Sequence, residues 1–504
     1  MFTPLTAKRT ISGKSGITIW WFLLSVLIGI AAIVIFGFLG GEALIAIRNP
    51  KKWGGTLFAG MLLFFYMFAV EDKKRFFLVL LILGMIFGLT KTLLFTYSPA
   101  FRTTYGFTIP IFVPPLVMLY IIWALRKITR LQYSPMSTVA LWPFAGLFAM
   151  AAISTLIHNR FYGTFDLFEL VIAFLLFIYM SSEISEKRLR MVIVMLIITA
   201  LIEAIIAIAQ NLTGSTLGLE IFGARQYIKG YLGLLTLTRV TGTFGHPSNL
   251  AEFFDLTLPL SVSMFFYPMK RSHKLLLLAM VVIGFAGLGM TYSRGGIISS
   301  VLFSGIVVLI HLCKRLGVAR GIFTSVALGV LFSLLVLTVP NPIQKGLFRT
   351  EYETAYGRIP LMEVAFKMIR ANPFFGVGLN NYVPVAVDYD FTPQQLTTAW
   401  DTAVHNVYLF VAGEIGIPGL IFFLAVIVSV FMAFSPAMRS PDPLIFCAGL
   451  GLVGGIAAHL FHWFTDLAPW TTAWMFWLFM GLAVTTGRLA KGFSPGSAEA
   501  AVEQ

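Results

Sequence analysis

Charged residues are scarce in this chain of 504 residues. Asp, Glu, Lys and Arg make up only 12% of it, against about 25% in an ordinary soluble domain. Hydrophobic residues make up 58%, and no stretch has the composition of a soluble domain. The composition therefore excludes a soluble protein and predicts one that crosses a membrane many times.

Cysteine and the common nucleotide-binding and hydrolase motifs are also scarce. The only two cysteines, Cys313 and Cys447, give no disulfide framework and no cysteine-based metal site. The chain contains no phosphate-binding loop, no Gly-x-Gly-x-x-Gly fingerprint and no nucleophile elbow, which disfavours a nucleotide-driven pump. The 36 lysines and arginines are dispersed among apolar segments, which argues against nucleic-acid binding.

Long apolar runs dominate the sequence and predict an all-α polytopic membrane protein. We count about 14 (12–14) transmembrane helices, most with the roughly 17–25 residues that a spanning helix needs. The predicted spans are 17–39, 54–70, 76–96, 107–124, 137–157, 163–181, 189–212, 247–268, 273–291, 295–313, 321–340, 405–434, 443–464 and 467–487. We divide the chain into N-terminal transmembrane helices (1–190), a second transmembrane region (191–487) with a long, partly helical extracytoplasmic loop (341–404), and a tail (488–504).

Basic residues set the predicted orientation. With the N-terminus inside, 21 of the 36 lysines and arginines fall in short cytoplasmic segments, in keeping with the positive-inside rule. Both termini are then cytoplasmic, and the longest connections, 213–246 and 341–404, lie outside. Arg48, Lys51 and Lys52 also fall outside, so residues 41–53 form an interfacial segment or the first two spans are misassigned.

Three polar motifs stand where membrane helices are predicted to begin on the outer face. They are Thr241-Gly242-Thr243-Phe244-Gly245-His246-Pro247-Ser248-Asn249, Ser293-Arg294-Gly295-Gly296 and His405-Asn406. A helix start presents unpaired N–H groups and the positive end of the helix dipole, so it favours an anion. Three such starts, together with arginines on one side of a membrane, predict a site for a phosphate-bearing ligand.

The first motif has the features of a capped helix start. Pro247 suits the first helical turn, with Gly245 or His246 as the N-cap. Asn249 is placed to donate to an anion, and Arg239 stands just upstream. The structural alternative is a turn and a cap with no ligand.

The other two motifs supply a cation and a base. Arg294 lies in a gap of three or four residues between two spans, which holds it near the membrane surface. Its planar fork matches phosphate oxygens, although it could instead anchor to lipid headgroups. A helix N-terminus disfavours the imidazolium form of His405, which makes this ring a candidate proton acceptor. Asn406 could orient the ring or bind sugar hydroxyls.

The long outer loop contains a further helix pattern, from about Thr354 to Ala371, which ends at Asn372-Pro373. One predicted face carries Glu363, Lys367 and Arg370. Arg358 falls on the opposite, apolar face, and a buried arginine needs an anionic partner. The alternative is that Arg358 lies in the first turn and reaches the solvent.

Other polar residues within the spans are candidates without an assigned role. His459, His462 and Asp466 share one face of a span, where they could hold a metal or, as we favour, line the outer cavity as a polar cluster. Intramembrane acids are functional candidates by default, and those in this chain are Asp166, Glu169, Glu252 and Asp255.

Taken together, the motifs resemble the O-antigen ligase and polymerase family of bacterial envelope glycosyltransferases. The resemblance covers about residues 190–435 and rests on four stretches. These are Arg239–Asn249, Ser293–Gly296, Gly357–Gly378 with Asn372-Pro373-Phe374-Phe375-Gly376-Val377-Gly378, and His405-Asn406 with Glu414-Ile415-Gly416-Ile417-Pro418-Gly419-Leu420. Fourteen spans exceed the twelve common among the ligases of the family.

The resemblance implies a multi-pass protein of the bacterial cytoplasmic membrane with its active site facing the exterior. It implies a glycan donor carried on undecaprenyl pyrophosphate, a glycan or lipid-linked acceptor, inversion at the transferred sugar, and no metal or cofactor. Arg294 and Arg358 match the essential arginines of the family, His405 matches its essential histidine, and Arg239 matches a recurrent basic position.

The physical chemistry of these residues fits that reaction. Arginines and helix starts could stabilise the pyrophosphate leaving group, and His405 could accept the proton of the acceptor hydroxyl. We place Arg239, His246, Asn249 and Asn406 in substrate binding. The favoured activity is polysaccharide polymerase, with O-antigen ligase, protein O-oligosaccharyltransferase and, in a different class, a transporter of lipid-linked glycans as alternatives.

Overall fold

A computed structural model of the chain describes ten segments. They are residues 70–86, 90–98, 103–130, 140–158, 161–225, 227–232, 235–337, 358–397, 402–467 and 470–492. The predicted span 17–39, nearly all of the span 54–70, and the basic residues Arg48, Lys51 and Lys52 lie outside the described residues. The same holds for residues 338–357 and 398–401 of the long loop and for residues 493–504.

The described part of the chain is mostly helical. Its fourteen α-helices are α1 (Lys73–Ile86), α2 (Val113–Arg130), α3 (Leu141–His158), α4 (Gly163–Glu183), α5 (Glu186–Thr213), α6 (Pro247–Phe265), α7 (Arg271–Met290), α8 (Arg294–Leu316), α9 (Val318–Leu337), α10 (Arg358–Ala371), α11 (Tyr382–Ala386), α12 (Val407–Phe434), α13 (Pro443–His462) and α14 (Trp474–Ala490). Seven described helices are long and apolar enough to cross a membrane, namely α3, α4, α5, α7, α8, α12 and α13. A polytopic membrane protein is thus confirmed in its general character.

Most predicted spans from 137 onward correspond to one described helix each, with ends within about four residues of the prediction. The last differs, because the span 467–487 is observed as a short 3₁₀ turn, Trp470–Thr472, followed by α14 from Trp474. Helix α6 is not among the seven long apolar helices, because polar residues lower its hydropathy. Most of its residues are nevertheless buried.

Two antiparallel hairpins depart from the all-α prediction. The predicted span 76–96 is helical only to Ile86, and strand β1 (Thr90–Ser98) then pairs with β2 (Thr103–Pro110). Strand β3 (Tyr227–Leu232) pairs with β4 (Leu235–Arg239). These strands are rich in threonine, tyrosine and branched residues, which favour extended backbone. The apolar content of β1 resembled that of a membrane helix, whereas β3 and β4 lie in the predicted connection 213–246.

The chain forms two compact units, residues 1–81 with 112–133, and residues 82–111 with 134–504. In the described part of the smaller unit, α2 and the residue before it bury an apolar face that includes Phe112, Leu116, Leu119 and Trp123. The predicted division of the chain at residue 190 stays a prediction.

Helices α6 and α13 form the centre of the larger unit. They pack against each other, and both pack against α8, while α14 lies against α4 and α13. A Cβ atom added at Gly451 or Gly455 of α13 would collide with Leu260 or Leu256 of α6. This Gly-x-x-x-Gly spacing lets two helix backbones approach closely, as small residues do at interfaces between membrane helices.

A kink in α12 fixes the position of α10. Gly416 breaks the helix with a φ of 77° and is followed by Pro418. The carbonyls of Gly413 and Glu414 accept hydrogen bonds from the backbone N–H groups of Val377 (2.8 Å) and Gly378 (3.1 Å), and the carbonyl of Pro373 accepts one from Ile417 (2.8 Å). The predicted helix stop at Asn372-Pro373 is confirmed, and the segment after it is bonded to a membrane helix.

Candidate active site

The three motif helices begin with the caps that their residue types favour. His246 is the N-cap of α6, with Pro247 in the first turn, and its Nδ1 accepts a hydrogen bond from the N–H of Ser248 at 3.2 Å. Ser293 caps α8 by accepting from the N–H of Gly296 at 3.4 Å. Asn406 caps α12 by accepting from the N–H of Leu409 at 3.0 Å. The predicted positions of Pro247 and His246 are confirmed.

Helix α5 holds the loop that leads into α6. The Gln210 side chain accepts hydrogen bonds from the backbone N–H groups of Thr241 (3.3 Å) and Gly242 (3.0 Å). The Glu203 carboxylate accepts from the N–H and the hydroxyl of Thr243, at 3.0 and 2.6 Å. Both side chains are buried. These contacts were not predicted, although two polar residues seven positions apart on one face of an apolar span indicate that this face meets polar groups.

The loop also links two of the arginine-bearing motifs. Arg239 ends strand β4 and donates from Nε to the carbonyl of Thr291 at 2.8 Å. Thr291 belongs to the tight turn between α7 and α8, in which Tyr292 has a φ of 51°, and the next helix begins at Arg294. The positions of Arg239 and Arg294 are thereby coupled through a single hydrogen bond.

Asp466 lies just beyond the end of α13 and interacts with residues at the starts of α6 and α12. Nδ1 of His405 lies 3.9 Å from Asp466 Oδ1, and Nε2 of His462 lies 3.4 Å from Asp466 Oδ2. Burial alone would raise the pKa of Asp466, but His405, His462 and a hydrogen bond from Ser248 outweigh it and lower the pKa to about 2. Asp466 is therefore an ionised carboxylate with two histidine rings beside it.

Arg358 belongs to the same group. It begins α10 and is half-buried, on the side of the helix that buries Leu361 and Ala365. Burial lowers the pKa of Arg358, the charge of Asp466 opposes this effect, and the charge of Arg294 adds to it. The charges of Asp466 and Arg294 therefore both act on Arg358, and its half-buried position agrees with its predicted place on the apolar face of α10.

His246 completes the group. Its pKa is lowered first by burial and then by the charge of Arg239, with Asp466 acting in the opposite direction and His405 adding to the lowering. A neutral His246 ring agrees with its role as the acceptor in the α6 cap. Five of the seven predicted site residues, from three of the described segments, are thus linked by charge interactions with one another or with Asp466. They are Arg239, His246, Arg294, Arg358 and His405.

The two predicted asparagines are placed differently. Asn249 is exposed and donates to the carbonyl of Phe244 at 3.3 Å. Asn406 is buried, and its amide group donates to the carbonyl of Phe464 at 3.2 Å while its oxygen caps α12. Asn406 therefore positions the start of α12 beside the end of α13. Contacts of either asparagine with a substrate stay predictions.

A second polar layer lies beneath Asp466. His462 is 2% exposed, and its Nδ1 lies 2.7 Å from Oδ2 of Asp255 on α6. His459, one turn earlier on α13, stacks on Phe476 of α14 instead of turning toward Asp466. Among the residues that the structure describes, no group of three or more His, Cys, Asp or Glu side chains is arranged to hold a metal ion. The arrangement agrees with the polar-cluster interpretation of His462 and Asp466.

The geometry suits an anionic ligand beside an acceptor that gives up a proton. Arg239 is bonded to the turn before α8, Arg294 begins α8 and Arg358 begins α10. Fixed charges of this kind stabilise an anion without reorganisation. His405 is about one-third exposed, so its ring is accessible to a ligand. Asp255, Glu203 and the other buried acids are held by protein donors and serve to position these elements.

Comparison with known proteins gives one family. A family model described as O-antigen ligase matches residues 279–424. The matched stretch contains Arg294, Arg358, His405 and Asn406, whereas Arg239 and the α6 cap precede it. No curated protein matches the sequence significantly.

Proposed function

We propose, from the match of residues 279–424 to the O-antigen ligase family, that the protein transfers a glycan from undecaprenyl pyrophosphate to a hydroxyl acceptor at the outer face of the cytoplasmic membrane. The family supports a membrane glycosyltransferase of the ligase or polymerase type. The donor, the acceptor and the orientation of the site are our proposal. The observation that supports them best is that His405 lies 3.9 Å from Asp466, while the charges of Asp466 and Arg294 both act on Arg358.

The leaving group explains the arginines. As the acceptor oxygen attacks the anomeric carbon, the bond from that carbon to the pyrophosphate oxygen breaks and its electron pair stays on the pyrophosphate. Pyrophosphate leaves readily as an anion, so the main requirement is to hold its growing negative charge. Arg294 and Arg358 meet this need as planar forks that match phosphate oxygens. Arg239 and the N–H groups at the start of α6 extend the same positive surface.

The acceptor explains His405. A sugar hydroxyl needs a base within hydrogen-bond reach as it attacks, and an accessible imidazole meets that need. Asp466 lies on the Nδ1 side of His405, which leaves Nε2 to face the acceptor. Asp466 also stabilises the imidazolium that forms once His405 has taken the proton. A direct displacement of this kind inverts the configuration at the anomeric carbon.

The segment 372–381 connects the site to the membrane. Because it is hydrogen-bonded to the kink of α12, Arg358 at the start of α10 is anchored to the helix that follows His405. A lipid-linked donor must present its pyrophosphate at the membrane surface, and helix starts fixed to the membrane domain are suited to meet it there. The long loop that contains α10 would also shield the reacting sugar from water.

Within this activity we favour a polymerase, for which the acceptor is another lipid-linked glycan. Attachment to lipid A–core would make the protein an O-antigen ligase, and attachment to a serine or threonine would make it a protein O-oligosaccharyltransferase. The predicted span count, above that common among the ligases, is the feature that favours polymerase.

The decisive experiment supplies the full-length protein, purified and reconstituted in lipid nanodiscs, with an undecaprenyl-pyrophosphate-linked saccharide. A ladder of lengthened chains on a gel is the expected result, whereas a single shifted band with lipid A–core or a peptide acceptor would replace polymerase with ligase or protein glycosylation. Absence of any covalent product from each of these acceptors would reject the transferase and favour a transporter. Heat-inactivated protein in the same nanodiscs controls for non-enzymatic transfer.

A further inference from the structure

His462 is a buried side chain that contacts both Asp466 and the start of α8. Its ring is 2% exposed. Nδ1 lies 2.7 Å from Asp255 Oδ2, and Nε2 lies 3.4 Å from Asp466 Oδ2 and 3.2 Å from the hydroxyl oxygen of Ser293. Two carboxylates this close to one imidazole stabilise its doubly protonated, charged form. The geometry therefore favours an imidazolium.

Asp255 supplies the counter-charge. It is fully buried, and its Oδ1 accepts hydrogen bonds from the hydroxyls of Ser299 and Ser300, each at 2.6 Å. With His462 on Oδ2, the carboxylate has three donors, which is the environment that favours its ionised form. A buried carboxylate of this kind needs a cation beside it, and His462 is placed to be that cation.

The His462 ring also packs against the first turn of α8. A Cβ atom added at Gly295 would lie 2.6 Å from Cδ2 of His462, and one added at Gly296 would lie 3.2 Å from its Cε1. Arg294 stands immediately before these glycines, and Ser293, which caps the helix, contacts Nε2 of the same ring. His462 thus lies between the start of α8, which holds Arg294, and Asp466, which is the partner of His405.

We propose that His462 is a positioning residue of the transfer reaction, which as a buried imidazolium between Asp255 and Asp466 keeps Asp466 ionised and directed at Nδ1 of His405. This inference rests on the proposed role of His405 as the base. Asp466 then holds a proton on Nδ1 of His405, so that Nε2 takes the proton of the acceptor hydroxyl. His462 itself gains and loses no proton in the reaction, and His405 returns its proton to solvent.

The charged and titratable groups around His462 support a role that depends on its charge. Asp255 and Glu252 face it from α6, Asp466 from the turn after α13, and His459 from its own helix. Three of these four groups are acids, so a neutral replacement would leave carboxylates facing one another. A residue that only filled space would not need a cationic ring at this point.

The first test compares kinetics of the full-length protein in nanodiscs. His462→Gln keeps a polar side chain but removes the charge, and a misplaced base is expected to lower kcat about 10²-fold, with the KM for the lipid-linked donor changed less than threefold. His459→Gln is the matched control, because His459 is equally buried on the same helix but stacks on an aromatic ring. It should keep kcat within threefold.

A double substitution separates positioning from packing. If His462 acts through His405, adding His462→Gln to a His405→Ala protein should lower the residual rate by less than twofold. If His462 is only a packing element, its effect should be the same in both backgrounds, and the inference is overturned. The double variant Asp255→Asn, His462→Gln should have a higher melting temperature than His462→Gln alone, because it leaves no unpaired carboxylate at position 255. Its kcat should stay as low as that of His462→Gln.

A spectroscopic measurement on the unmodified protein covers the case in which His462→Gln does not fold. In protein labelled with ¹⁵N-histidine at pH 7.5, the ring signals of His462 should show two protonated nitrogens, and a neutral ring would overturn the inference. Failure of the proposed function is distinguishable, because wild-type protein would then give no transfer product. An active wild type, an inactive His405→Ala protein and a fully active His462→Gln protein would reject only the role of His462.

Discussion

Nδ1 of His405 lies 3.9 Å from Oδ1 of Asp466, just beyond hydrogen-bond distance. His405 precedes α12, and Asp466 follows α13. The start of α12 is joined to the end of α13 by a hydrogen bond of 3.0 Å from the N–H of Val407 to the carbonyl of Trp463. The backbone therefore fixes the pair, and a small rotation of the exposed His405 ring would bring it into contact with the carboxylate. Catalytic hydrogen bonds often shorten in this way when the substrate binds.

This relationship predicts the result of removing the base. We expect His405→Ala to lower the transfer rate about 10²–10⁴-fold, the contribution typical of a general base, while the protein still inserts and purifies as the wild type does. His273→Ala is the matched control, because His273 is an exposed histidine near the start of α7 and should keep the full rate. The rates are measured by following product formation from a lipid-linked saccharide. Transfer at the wild-type rate by His405→Ala would exclude His405 as the base.

Helix α10 offers a second comparison between two arginines on the same element. Arg358 is half-buried and subject to the charges of Asp466 and Arg294, whereas Arg370 lies exposed near the other end of the helix. We expect Arg358→Lys to lower kcat about 10²-fold or more, since lysine keeps the charge but loses the planar fork. Arg370→Lys should leave kcat unchanged. An equal decrease of kcat in the two variants would contradict a specific role of Arg358 in the transfer reaction.

The local signals in the sequence predicted the helix starts well. Pro247 and a histidine cap, the glycines after Arg294, and Asn372-Pro373 at the end of α10 act within one or two turns of backbone, so their consequences can be read from neighbouring residues. Arg358 was placed on the buried side of its helix by the same local periodicity. These features account for the elements that carry the candidate site.

Contacts between distant residues could not be predicted in the same way. The link from Asp255 to His462 joins α6 to α13 and that from Glu203 to Thr243 joins α5 to the α6 cap, and a single sequence shows no sign of either pairing. Asp466 was predicted only as part of a polar cluster, because helices α12 and α13 separate it from its partner His405 along the chain. The hairpin that begins at Thr90 was predicted as a helix, since hydropathy does not distinguish an apolar strand from a short span.

The cap of α6 predicts a pH dependence of stability. Burial and the charge of Arg239 lower the pKa of His246, and its neutral Nδ1 accepts the hydrogen bond from Ser248. The contribution of this cap is fully present above the unfolded pKa of about 6.5 and is lost as the pH falls through the lowered pKa of the folded state, because the unfolded chain then binds more protons.

This dependence can be measured by thermal unfolding in nanodiscs between pH 7.5 and pH 4.5. His246→Asn supplies a cap that does not titrate, so the loss of melting temperature with falling pH should be smaller than in the wild type. The carboxylate of Asp466 contributes little to this change, because its pKa is about 2 in the folded protein and about 3.9 in an unfolded chain, both below pH 4.5. Identical pH profiles for the two proteins would contradict the assignment of His246 as a neutral cap.

Gly295 tests how tightly the arginine-bearing helix start is packed. A Cβ atom at this position would lie 2.5 Å from the hydroxyl oxygen of Thr465 and 2.6 Å from Cδ2 of His462, and overpacking of this kind typically costs about 1–3 kcal/mol. We expect Gly295→Ala to lower both the melting temperature and kcat, because the start of α8 must move and takes Arg294 with it. Gly289→Ala on α7 is the control, since nothing lies within 4 Å of its added Cβ, and helix propensity should make it neutral or slightly stabilising. If Gly295→Ala has the same activity as Gly289→Ala, the contact between His462 and the start of α8 does not position Arg294.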